Sequence, residues 1–171
     1  FVSSAATDFI DRSRVGALLV QSYEMGIAAE GDIGNLYYFS GLFNGNGPSF
    51  NNNNNFYYIG RLQYLFPEII MGDLLMGVYG SYGDSEGSVS GSDGPLLRGS
   101  RSIYGTDLRF EGDRLLISGE YMTGLLETED FPGTREKISG YYLTSGYKVF
   151  KNTMLLARFQ WWEKREAGTE N

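Results

Sequence analysis

From Tyr23 to Arg165 the chain alternates large apolar residues with small or polar ones, with few interruptions. A side-chain period of two belongs to strands, because successive side chains leave a strand on opposite faces. The alternation predicts eight strands, over 23–30, 36–43, 56–65, 74–83, 101–111, 114–125, 138–149 and 154–165. Ser40 to Leu65 displays the repeating unit. An aromatic run enters an Asn/Gly tract, and a second aromatic run leaves it carrying Arg61. Five consecutive asparagines, Asn51 to Asn55, bury nothing and compete for backbone hydrogen bonds, so they read as a loop.

The connections alternate between short and long. Residues 31–35, 66–73, 112–113 and 150–153 are the shorter ones, and 44–55, 84–100 and 126–137 the longer ones. Up-and-down strands crossing a membrane produce this pattern, with tight turns on one side and longer loops on the other. A soluble sandwich has no reason to sort its loops by parity.

Separating alternate positions gives two faces. One carries Met25, Ile27, Tyr37, Phe39, Phe43, Tyr58, Leu62, Tyr64, Met76, Val78, Tyr82, Tyr104, Leu108, Tyr121, Tyr141, Leu143, Tyr147, Leu155, Phe159 and Trp161. Its centre holds no charge, and aromatics gather toward strand ends as interface girdles would. The other face carries Glu24, Glu30, Arg61, Gln63, Asp107, Arg109, Glu111, Glu120, Lys148, Arg158 and Gln160 among glycines. So many charges cannot be buried dry without dense pairing, and a water-filled lumen accommodates them. The expected fold is therefore all-β, an antiparallel up-and-down transmembrane β-barrel in one domain over 1–171. Glu120 is expected to pair across a strand with Arg109 or Lys148. Trp161 and Trp162 are expected to straddle the wall.

Composition narrows the chemistry. The 171 residues contain neither histidine nor cysteine. That removes the commonest general base, the usual triads, disulfides and thiolate or imidazole metal sites. The formal net charge of −7 offers no basic stripe for nucleic acid. No apolar run is long enough for a transmembrane helix, and no basic-then-apolar leader opens the chain. The run Gly41–Gly47 lacks the Lys-Ser/Thr pair of a phosphate loop. Asp84, Glu86 and Asp93 fit no EF-hand spacing. The expectation is no enzyme, no cofactor and no metal.

The segments FIDRS, YEMGIAAEGDIGNLYYFSGLFNG, GRLQYLFP, YGTDLRF, ISGEYMTG, GYYLTSGYK and LLARFQWW, in this order, resemble the phosphate-selective porin O/P family. The resemblance implies a trimeric outer-membrane barrel of sixteen strands passing small anions, of which this chain is an internal piece of about half. It implies bacterial outer-membrane lipid and lipopolysaccharide as surroundings. It also implies that residues 1–22 fold into the channel, with Arg12 and Arg14 at the constriction. Of the inward strand positions, Arg61, Arg109, Lys148 and Arg158 supply the cations, facing Asp107 and Glu120 among the acids. They form no basic ladder, so a general pore for small hydrophilic solutes is as well supported as phosphate selectivity. A small, non-conducting structural or adhesive barrel is the alternative.

Overall fold

The computed structural model describes residues 16, 19, 24–45, 56–69, 71–88, 96–128 and 131–167. These form one all-β sheet of eight strands in sequence order, every neighbouring pair antiparallel. The strands are β1 (Gly26–Ile33), β2 (Leu36–Phe43), β3 (Tyr57–Phe66) and β4 (Gly72–Ser88), then β5 (Leu96–Gly112), β6 (Leu115–Thr128), β7 (Phe131–Phe150) and β8 (Thr153–Ala167). Among the described residues β1 and β8 are the two edges and do not pair with each other, so the sheet is open.

Turn chemistry sets one end of the sheet. The β1–β2 connection shrinks from the expected 31–35 to Gly34-Asn35, and Gly34 takes a φ of 61°. A two-residue hairpin turn of type II′ needs that positive φ at its first central residue, where glycine has no Cβ to clash. Asp113-Arg114 has no strand pairing and joins β5 to β6, while Lys151-Asn152 joins β7 to β8. Between β3 and β4, Glu68 and Met71 also take positive φ. Asp73 holds this turn by accepting a hydrogen bond from the Glu68 amide at 3.0 Å.

The opposite end corrects the loop reading. Much of 84–100 and most of 126–137 is strand, because β4 continues to Ser88, β5 begins at Leu96, β6 runs to Thr128 and β7 starts at Phe131. Serine, glycine and charge in these stretches resemble loop composition, yet they occupy paired ladder positions such as Asp84↔Ser100 and Glu136↔Glu166. The sheet thus projects on that side as long hairpins. A register shift between Leu97 and Arg101 interrupts β5, and there the Ser100 amide donates to the Glu127 carboxylate at 2.8 Å.

Register assigns the faces. Arg61 stands opposite Tyr79, Gly77 opposite Asp107, Asp107 opposite Glu120, and Glu120 opposite Tyr142. All belong to one face, called inner below. The other face is open to its surroundings. Ile27 is 75% exposed, Leu155 66% and Phe159 61%, and Tyr82, Tyr104, Leu143 and Tyr147 are exposed beside them. The same register corrects the assignment of β2. Tyr37 lies opposite Gln63 and Phe39 opposite Arg61, so Tyr37, Phe39 and Phe43 belong to the inner face and Leu36, Tyr38 and Leu42 to the outer one. Trp161 lies opposite Tyr141 on the outer face and Trp162 opposite Gly140 on the inner face, as expected.

The inner face carries the buried apolar cluster. Leu19, a helical residue of the segment preceding β1, packs against Ile103 of β5, Met122 and Leu126 of β6, and Ile138 of β7. Gly124 clears the way: a Cβ there would lie 2.6 Å from a Leu19 methyl.

Candidate functional site: the inner wall

Three strands meet at Gly77. Arg61 leans from β3 across β4 toward Asp107 on β5. Its Nη2 donates to Asp107 Oδ1 at 2.8 Å, and Nη1 sits 2.8 Å from Oδ2 without an aligned hydrogen bond. A Cβ at position 77 would lie 2.8–2.9 Å from these same atoms, so glycine is what lets the ion pair bridge its strand.

The next step repeats the device. Tyr79 leans from β4 across Gly105 of β5, and its hydroxyl donates to Glu120 Oε1 on β6. The Arg61 guanidinium lies 5.6 Å from the centre of the Tyr79 ring, within cation–π reach. Glu120 stands opposite Tyr142 of β7. Arg158 of β8 covers the Tyr142 ring at 4.9 Å and donates through Nε to Thr144 Oγ1 at 3.1 Å. A belt of charge and hydroxyl therefore runs laterally from β3 to β8 at mid-height of the wall. Each carboxylate in it has a cation or a phenol against it, which satisfies groups that would otherwise be costly to bury.

Sequence-predicted residues fall into this frame unequally. Arg61, Asp107, Glu120 and Arg158 come together in the belt. Arg109 sits below it and makes a 3.2 Å ion pair with Glu111 on its own strand. Lys148 lies near the β7–β8 turn, exposed. Glu120 does not take Arg109 or Lys148 as expected. It takes phenols: Tyr79, which leans across Gly105 from two strands away, and Tyr142, which stands directly opposite. Arg12 and Arg14 lie outside the described residues.

A second group joins Glu24, named from sequence as an inner-face charge, to Arg101, which the sequence reading leaves out. Arg101 of β5 is only 2% exposed, and its guanidinium lies over the Tyr57 ring at 3.9 Å. Its Nη2 reaches Glu24 at 3.4 Å, and the Glu24 side chain is 7% exposed. Tyr57 in turn shares a short hydrogen bond with Ser81. Glu24 precedes β1, so this contact ties the chain ahead of the first strand to the fifth strand across the inner face. The parity that singles out Asp107 and Arg109 also points Arg101 inward. At the far edge, Glu136 of β7 accepts from Lys164 of β8 at 2.8 Å.

Among the described residues no group of three or more acidic, histidine or cysteine side chains could hold a metal ion. What the inner wall offers is a polar, locally neutralised surface. No family model, no curated protein and no solved structure matches the chain.

Proposed function

We propose that the chain forms the wall of an outer-membrane porin, a water-filled β-barrel through which small hydrophilic solutes diffuse passively. One observation carries the reading. Among the described residues, no charged side chain stands on the outer face over 72–82 of β4, 102–112 of β5, 115–125 of β6, 139–149 of β7 or 153–161 of β8. Each stretch matches the roughly 9–11 residues a tilted strand needs to cross hydrocarbon. Charge returns beyond the band, at Asp84, Arg98, Glu127, Lys137 and Glu163. Soluble proteins rarely leave so large an apolar surface uncovered, and lipid covers it at no cost.

The aromatics fit the same frame. Tyr58, Tyr82, Tyr104, Tyr121, Tyr141 and Trp161 form an outer row toward the charged border, and Tyr64, Phe66, Phe110, Tyr147 and Phe150 form one toward the tight turns. Two such rows are the girdles of a membrane barrel. In the proposed barrel the β1 and β8 edges, which do not pair with each other among the described residues, are closed by further strands. The proposed assembly is a homotrimer of sixteen-stranded barrels in contact with outer-membrane lipid and lipopolysaccharide.

Selectivity follows from the inner wall. Arg61 is matched by Asp107, Arg101 by Glu24, Arg109 by Glu111 and Lys164 by Glu136. With these four cations held by carboxylates, the wall presents no ladder of cations to draw anions, so the pore discriminates by width more than by a preference for anions. This supports a general pore above a phosphate-selective one. A non-conducting barrel is the second reading, favoured by the apolar cluster around Leu19 on the inner face. Planar-bilayer recording separates the two: a porin gives stable unitary current steps, and a filled barrel gives none.

A further inference from the structure

Water-facing aromatic residues need an explanation in a pore wall, and β2 has three. Tyr37, Phe39 and Phe43 are successive inner-face positions along β2, interrupted only by Gly41. The Phe43 ring folds back over Gly41, where a Cβ would strike it. That brings it alongside Phe39, with ring centres 6.4 Å apart and planes 17° from parallel. The two near-parallel rings make one continuous apolar strip, and all three aromatics remain only half-buried.

The borders of the strip are polar. Across the β3 side, Arg61 stands opposite Phe39 and Gln63 opposite Tyr37. Across the β1 side, Glu30 stands opposite Phe39 and accepts from the Tyr37 hydroxyl at 2.8 Å. Further along that side the opposing residues are Ala28 and Gly26, too small to cover the rings. An apolar face edged by donors and acceptors binds a ligand with the same division. A pyranose sugar has one, with C–H groups on its faces and hydroxyls around its rim. Charge argues against an anion: Glu30 and Asp32 are carboxylates on the inner face of β1, while Arg61 opposite Phe39 is matched by Asp107, and Arg101 over Tyr57 opposite Phe43 is matched by Glu24.

We infer that the Tyr37–Phe39–Phe43 strip is a stacking track for neutral sugars passing through the pore. The inference rests on the porin reading and names a solute class for it. A sugar chain sliding along β2 exchanges one ring for the next, and hydroxyls trade partners between Glu30, Gln63 and Arg61.

The test is ion-current recording with the full protein in a planar bilayer, with maltotriose, inorganic phosphate or indole added as probe. Maltotriose should interrupt the current in a concentration-dependent manner. Phe39→Leu and Phe43→Leu, which keep apolar bulk but lose the flat ring, should each raise the half-blocking concentration about two- to tenfold. Phe39→Trp should restore or tighten block. A conducting channel blind to maltotriose overturns the inference and leaves the pore reading standing. So does block by phosphate or indole but not by maltotriose, or block that the leucine variants leave unchanged. A protein that never conducts overturns the pore reading, and the track with it.

Discussion

Arg61 on β3 and Asp107 on β5 are not on neighbouring strands, yet they form an ion pair across Gly77 of the strand between them. The pair is largely shielded and crosses two sheet spacings, so it holds three strands in one register. Its geometry depends on a residue that contributes no atom to the contact.

Gly77→Val tests this directly. A branched side chain there occupies the space of the ion pair and forces Arg61 and Asp107 apart. The expected cost is about 1–3 kcal/mol, the usual range for overpacking. Urea unfolding from lipid vesicles checks it, and Gly60→Val on β3, where a Cβ meets nothing nearer than 4.0 Å, is the control for β-propensity.

Arg61→Glu places two carboxylates together on the inner wall. The reversal potential in a salt gradient should then shift toward cation preference. Arg61→Met should shift it in the same direction by less. An unchanged potential in both variants means that Arg61 does not face the conducting space.

Arg101→Leu takes the guanidinium from a buried carboxylate on the segment ahead of β1. Breaking a buried pair from one side costs about 3–5 kcal/mol. Adding Glu24→Leu should recover part of that loss, since removing both charges removes the desolvation penalty as well. Cleavage near Glu24 under limited proteolysis should accelerate in the single variant and slow again in the double one.

Leu143→Arg places a charge in the centre of the outer band of β7. Lipid should make this cost about 2–4 kcal/mol, whereas Val149→Arg, at the border of the band beside the β7–β8 turn, should cost less. Equal tolerance at both positions would mean that the outer face meets water.

Much of the fold is legible from period two alone, since a strand cannot slip by one residue without exchanging its faces. β2 shows the limit. Both of its faces are aromatic, with Tyr37 and Phe39 against Leu36 and Tyr38, and no charge breaks the tie. Only pairing with Arg61 and Gln63 decides it. The strand extensions beyond Gly83 and before Arg101 are hidden for a different reason: both of their faces carry polar residues, and such a strand reads as a loop. The belt residues Arg61, Asp107, Glu120 and Arg158 are legible as inward charges. Their partner Tyr79 is not, because the lean of a side chain across a glycine on the next strand leaves no mark in either strand's own pattern.

The central claim is that the charge-free outer band meets lipid and the belt-lined inner face meets a water-filled lumen. Planar-bilayer recording of the full protein tests it most directly. The account predicts stable unitary steps with a reversal potential close to that of an unselective pore. A protein that inserts into the bilayer and stays silent would contradict it.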